Sequence, residues 1–182
     1  MTADVEKSIQ KAERLLAGIP GGIEKAMYRS MNRALQEGRT VATRETAKLY
    51  TVKSRDVRST FKMHRADKSS LDAELISTGA NLPLSKYSHK PHTDTTGAKR
   101  KQIRVGVKKS GGLKSLGQGF IWNGKVMQRV GSSRLPVVQK YGPAVPSILD
   151  NPQIVEAVTD KMADSMVRRM EHETLRLLEG NQ

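Results

Sequence analysis

The chain has no cysteine. That excludes disulfides and thiolate metal sites, and it fits a protein made in a reducing cytoplasm. Aromatic residues are 4% of the total, with one Trp, two Phe and four Tyr, so the large rings that usually dominate a core are scarce. Hydrophobic residues are 36% of 182, which supports a modest core and leads one to expect long arms, exposed loops or surfaces completed by neighbouring subunits. No run approaches the roughly 20 apolar residues of a membrane span. Residues 1–16 lack the apolar run and small-residue cleavage site of a secretory signal. A soluble protein with no membrane partner is expected. Acidic residues are short too: 18 Asp and Glu face 32 Lys and Arg, a formal net charge of +14. Nucleic acid, acidic protein surfaces and anionic membranes are the partners such a balance fits.

What is present is helical periodicity at both ends. From Gly22 to Tyr50, Ile23, Ala26, Met27, Met31, Ala34, Leu35, Val41 and Ala42 recur mostly at three, four and seven, which predicts one long amphipathic helix. Gly38 interrupts its stripe at a cost of about 1 kcal/mol relative to Ala, which leaves room for a bend there. Before it, Val5, Ile9, Ala12, Leu15 and Leu16 mark a short helix over residues 4–16, and residues 18–22 make a Gly/Pro turn. At the other end Asn151 caps and Pro152 opens a helix whose stripe is Ile154, Ala157, Val158, Met162, Met166, Met170, Leu177 and Leu178.

Between the helices the period changes to two. A one-turn helix capped by Ser54 is followed by a hairpin, residues 61–66 with 71–76, joined across Asp67-Lys68-Ser69-Ser70. Residues 85–101 are polar and read as a long exposed loop, residues 103–107 as a strand, and residues 109–119 as a second basic loop. Asn123-Gly124 between residues 119–122 and 125–130 is the strongest hairpin signal in the chain. Residues 134–137 are extended, and Tyr141-Gly142-Pro143 reads as a turn. The sum is an α+β chain: an N-terminal helix or arm over 1–22, then one α+β domain over 23–182. In it a long helix and a C-terminal helix pack on a small antiparallel sheet, with basic loops exposed at 85–102 and 108–119.

Motifs for chemistry are weak. Gly119 to Lys125 has the spacing of a phosphate-binding loop, but Val126 replaces the Ser or Thr that Mg²⁺ binding needs, and the segment sits in a hairpin rather than between strand and helix. His89 and His92 are better explained as loop histidines than as half a metal site, since Pro91 prevents helical i,i+3 geometry. His172 reads as a surface or interface residue. Asp150 and Glu156 flank a helix start, where acids suit the dipole. No catalytic candidate emerges, and neither a cofactor nor a metal is expected.

The basic run says more. Between Lys86 and Lys114 stand Lys86, Lys90, Lys99, Arg100, Lys101, Arg104, Lys108, Lys109 and Lys114 against Asp94 alone, a net +8. Flexible Lys/Arg segments of this kind bind phosphates through counterion release with little reading of sequence. Tyr87 is the one aromatic in the two loops, which argues against a base-stacking platform for single strands. An acidic protein partner or plain solvation would use the same residues.

Several stretches, taken in order, resemble the minor tail protein Z family of tailed bacteriophages and prophages. They are Met31-Asn32-Arg33-Ala34-Leu35 with Arg39-Thr40-Val41-Ala42-Thr43-Arg44-Glu45, then Tyr50-Thr51-Val52-Lys53 with Val57, then Leu82-Pro83-Leu84-Ser85-Lys86-Tyr87. Gly119-Phe120-Ile121, Gln128-Arg129-Val130, Leu135-Pro136-Val137, Tyr141-Gly142-Pro143-Ala144-Val145, and His172 with Leu175, Leu177 and Leu178 complete the set. Residues 1–22 and 88–101 fall outside it. The family has no established catalytic residues to carry over. The resemblance implies a virion structural protein of the tail's head-proximal end, assembled in the host bacterial cytoplasm. It would complete the tail and join it to the head as a ring around the DNA channel. Its partners would be itself, as a hexamer, other neck and tail-tube or terminator proteins, and the DNA backbone. Six copies would present about 48 excess positive charges if the basic loops line the bore. The alternatives are a free, non-sequence-specific DNA-binding protein, or a neighbouring neck role as tail terminator or head-side connector.

Overall fold

A computed structural model describes residues 2–93 and 102–180. The chain is α+β, with helices at both ends and small antiparallel sheets between them. Contacts divide it into two compact units, one drawn from Met1–Ala42, Phe61–Ser77 and Asn151–Gln182, the other from Thr43–Thr60 and Thr78–Asp150.

The first unit holds α1 (Thr2–Leu16), most of α2 (Gly22–Leu49), the hairpin β1 (Phe61–His64) with β2 (Glu74–Ser77), and α5 (Pro152–Glu179). Its core is the meeting of three helical stripes: Ala12 and Leu16 from α1, Ala26 from α2 and Met170 from α5, with Ile9, Ile23, Met27 and Met166 packed around them. Small side chains at Ala12 and Ala26 let the helices approach, and the thioether of Met170 fills the gap. Two buried hydroxyls are satisfied within their own helices: Ser30 Oγ donates to the Ala26 carbonyl (2.6 Å) and Thr174 Oγ1 to the Met170 carbonyl (2.8 Å). α2 is one continuous helix, and Gly38 is where Met162 of α5 lies on its backbone, since a Cβ there would stand 2.6 Å from the Met162 sulfur.

The hairpin forms in the predicted place, with Phe61 opposite Ser77 and His64 opposite Glu74. Asp67 closes the connection as an Asx turn, its Oδ1 accepting from the Ser69 and Ser70 N–H groups and the Ser69 hydroxyl, and these bonds hold its pKa below the usual carboxylate value. Asn32 clips the following chain to α2 by donating to the Ala66 carbonyl (2.8 Å) and accepting its N–H (3.0 Å). Asn151 caps α5 as expected, accepting from the Gln153 N–H, with Pro152 in the first turn.

The second unit contains α3 (Ser54–Arg58), β3 (Asn81–Pro83), a 3-10 turn at Leu84–Lys86, and β4 (Ser88–Lys90). It continues through β5 (Arg104–Gly106), β6 (Lys114–Ser115), β7 (Gly119–Trp122), β8 (Lys125–Arg129), β9 (Val137–Gln139), β10 (Tyr141–Ala144) and α4 (Val145–Leu149). The strands expected as one sheet are distributed over four, counting the first unit's hairpin: β1-β2, β10-β3, β4-β5-β6 and β7-β8-β9. Ser54 is the first helical residue of α3 rather than its cap. Lys53 occupies the cap position without a side-chain bond. The Asn-Gly hairpin is as predicted, with Asn123 and Gly124 both at positive φ (50° and 68°), the backbone a two-residue turn needs.

Tyr141-Gly142-Pro143, expected as a turn, is instead strand β10. It pairs with β3 across a register shift that places one extra residue between Tyr141 and Ala144. Pro143 has no N–H to pair, which suits a bulge. The cause lies in Tyr87, which is buried at 3% exposure and donates its hydroxyl to the Pro143 carbonyl (2.6 Å). A Cβ on Gly142 would come within 2.7 Å of that ring, so glycine is what lets the strand lie over it. Burial, and secondarily Tyr50, push the Tyr87 phenol up to about 12.

Candidate nucleic-acid interface

Six of the nine predicted basic residues lie among the described residues, all in the second unit: Lys86, Lys90, Arg104, Lys108, Lys109 and Lys114. Lys99, Arg100 and Lys101 lie outside the described residues. Strands form inside both stretches expected as loops, and the three-stranded sheet β4-β5-β6 carries Lys90, Arg104 and Lys114.

Alternation along these strands explains what faces solvent. Tyr87 and Ile103, both buried, anchor the chain just before β4 and β5. Val105 then points inward, while Ser88, Lys90 and Arg104 are exposed. Thr51 fastens the two strands together: its hydroxyl donates to the Gly106 carbonyl (2.5 Å) and accepts the Ser88 N–H (3.1 Å), and Ser88 and Gly106 are register partners. Two residue pairs further along, and so on the same face, Lys90 stands directly opposite Arg104. Like charges facing each other across antiparallel strands are destabilising by a few tenths of a kcal/mol, and an anion over the pair would remove that cost.

The other four residues are placed differently. Lys86 is engaged with Asp56 (3.2 Å). Lys108 pairs with Tyr50 in an isolated bridge, its ammonium 6.0 Å from the Tyr50 ring centroid, and the Lys109 N–H donates to the Leu49 carbonyl (2.9 Å). These bonds hold the exposed Lys108–Lys109 turn against the end of α2. Lys114 stands opposite Val105, so its Cβ belongs to the other face of the sheet from Arg104. Among the described residues the basic run is thus a facing Lys90–Arg104 pair, a tethered turn, one neutralised lysine and one residue set apart.

The remaining sequence candidates resolve simply. Gly119 to Lys125 is a strand–turn–strand, so its phosphate-loop spacing is coincidental. His89 and His92 stack edge to face at 5.1 Å, and His89 Nδ1 is 2.9 Å from the Tyr87 carbonyl. Among the described residues no group of three or more His, Cys, Asp or Glu could hold a metal ion.

Sequence reasoning missed one cluster. Glu173 is fully buried in the first unit, and its carboxylate meets Arg29 of α2 (3.0 Å) and Arg169 and Arg176 of α5 (2.5 and 3.2 Å). The i,i+4 and i,i+3 spacings within α5 were legible, whereas the arrival of Arg29 from 144 residues away was not. His172 is mainly exposed, with Nδ1 4.0 Å from the same carboxylate.

Among the described residues of this α+β chain, exposed basic side chains gather on short strands and turns, a make-up that suits contact with other macromolecules. The chain belongs to the prophage minor tail protein Z (GPZ) family, which matches residues 5–179. It is accordingly a phage tail structural protein, a component of the virion. No match was found among curated proteins or among solved structures. No helix among the described residues is long and apolar enough to cross a membrane.

Proposed function

We propose that the protein completes the head-proximal end of the phage tail as a ring subunit, joining tail to head and surrounding the DNA that passes between them. The observation that carries this reading is the Lys90–Arg104 pair: two exposed cations fixed opposite each other on adjacent strands, at an energetic cost the fold does not need. Such a pair suits a passing phosphate backbone, which is contacted without sequence reading. Family membership supplies the tail context, and the modest core suits a subunit whose surfaces are completed by neighbours. A ring of six would contact the tail-tube or terminator proteins on one side and neck proteins on the other. Lys99, Arg100, Lys101, Lys108 and Lys109 would add to the same bore.

The test is a reconstruction of the head–tail junction in purified particles, with this chain traced in density. A ring at the tail's upper end with Lys90 and Arg104 facing the channel is the expected result. Particles that lack the chain at that level would overturn the tail-completion role. A ring with the pair facing outward would overturn the channel contact alone.

A further inference from the structure

The exposed side of α5 carries an ordered set of charges that the tail role does not use. Ala157, Lys161, Asp164, Arg168, Glu171 and Leu175 are spaced four, three, four, three and four apart, the repeat that keeps residues on one seam of a helix. Asp164, Arg168, Glu171 and Leu175 are exposed, Ala157 and Lys161 half-buried, and Leu175 is a large apolar residue left 58% exposed. Their internal engagements are slight. Among the described residues no ion pair neutralises Lys161 or Asp164, Arg168 reaches only the carbonyl of Asp164 (3.3 Å), and Glu171 meets Lys11 at 3.8 Å between two exposed side chains.

The order of the set matters more than its charge. Read from either end it is its own complement: Ala157 matches Leu175, Lys161 matches Glu171, and Asp164 matches Arg168. We propose that this seam is an isologous docking surface, on which a second copy of the chain packs antiparallel through α5. Around a two-fold axis that passes through the seam midway between Asp164 and Arg168, level with Met166 but on the other side of the helix from it, each Lys161 meets Glu171 of the other copy and each Asp164 meets its Arg168. That makes four opposite-charge pairs, flanked at both ends by Ala157 against Leu175. Asp160 and His172, beside the seam and both exposed, fall opposite each other in the same register. A parallel pairing sets every charge against its like. An antiparallel pairing slipped by seven residues keeps only two of the four pairs. Charge order therefore fixes both direction and register, which is how electrostatics contributes to association more than through raw affinity. A solvated helix face needs no such order.

The proposal does not rest on the ring reading, because a two-fold contact closes a pair rather than a ring. It is tested on the purified full-length protein by sedimentation equilibrium at low and high salt. The wild type is expected to dimerise weakly and to dissociate as salt rises, since exposed pairs are screened. Asp160→Lys with Asp164→Lys makes the seam basic, and Arg168→Glu with His172→Glu makes it acidic. Each variant should self-associate at least about tenfold more weakly, and an equimolar mixture should recover the dimer. Lys161→Glu with Glu171→Lys in one chain exchanges the charges without changing their sum, and it should dimerise while either single change does not. Circular dichroism verifies that α5 is intact in each variant. A wild type that stays monomeric up to about 1 mM at low salt, or a mixture no tighter than its components, overturns the proposal.

Discussion

Replacing Glu173 with Gln keeps the shape of the side chain and removes the one anion among three guanidiniums. Two terms oppose each other. Burying a carboxylate costs several kcal/mol of lost hydration, which the amide largely recovers. Against that, Arg29, Arg169 and Arg176 lose their shared counter-charge and repel one another. A fully buried pair broken from one side costs about 3–5 kcal/mol, and an exposed pair about 0–1. Glu173 is fully buried, but the three arginine side chains are 29%, 36% and 50% exposed and can turn toward water. The expectation falls between these limits, a loss of about 2–3 kcal/mol. For a chain of this length that lowers Tm by roughly 4–12 °C. Urea and thermal unfolding of Glu173→Gln, Arg29→Met and the double variant form a cycle. Arg29 joins α2 to α5, so the cycle should show coupling of about 1 kcal/mol or more between them. A Glu173→Gln protein within about 0.5 kcal/mol of wild type would refute the reasoning, because the attraction would then only offset desolvation.

Three further outcomes follow from the second unit. Gly142→Ala should cost about 1–3 kcal/mol in urea unfolding, because the new Cβ meets the Tyr87 ring at 2.7 Å and that ring is pinned through its hydroxyl; a neutral result would mean the ring is free to shift. Tyr87 keeps its proton in the folded chain up to about 12, while the unfolded phenol releases it near 10. Its contribution is complete below about pH 10 and is lost as pH rises toward 12, at up to about 1.4 kcal/mol per pH unit. Tyr87→Phe should therefore lose less stability than wild type over that window, measured by urea unfolding on either side of it. Neutralising Lys90 and Arg104 together, as Lys90→Gln and Arg104→Gln, should raise stability by about 0.2–1 kcal/mol while lowering the salt slope of duplex DNA binding by roughly 2. A drop in both stability and binding would show the pair to be structural.

The sequence by itself determined whatever is decided within a few residues. The 3.6-residue stripes gave α1, α2 and α5 because a helix buries one face wherever it packs, and Asn151-Pro152 and Asn123-Gly124 marked their cap and turn because the backbone there has few options. The concentration of charge between Lys86 and Lys114 and the ordered family stretches were equally local. Tertiary structure decided the rest. Only folding brings Asn81–Pro83 beside Tyr141–Ala144, turning an expected turn into a bulged strand because Tyr87 lies beneath Gly142. Only folding sets Lys90 against Arg104, separates Lys114 from them, and lends Lys86 to Asp56. Glu173 shows the limit most clearly. Nothing in its neighbours along the chain distinguishes a buried carboxylate from a solvated one, because its burial depends on α2 arriving with Arg29, and local periodicity carries no information about a partner 144 residues away.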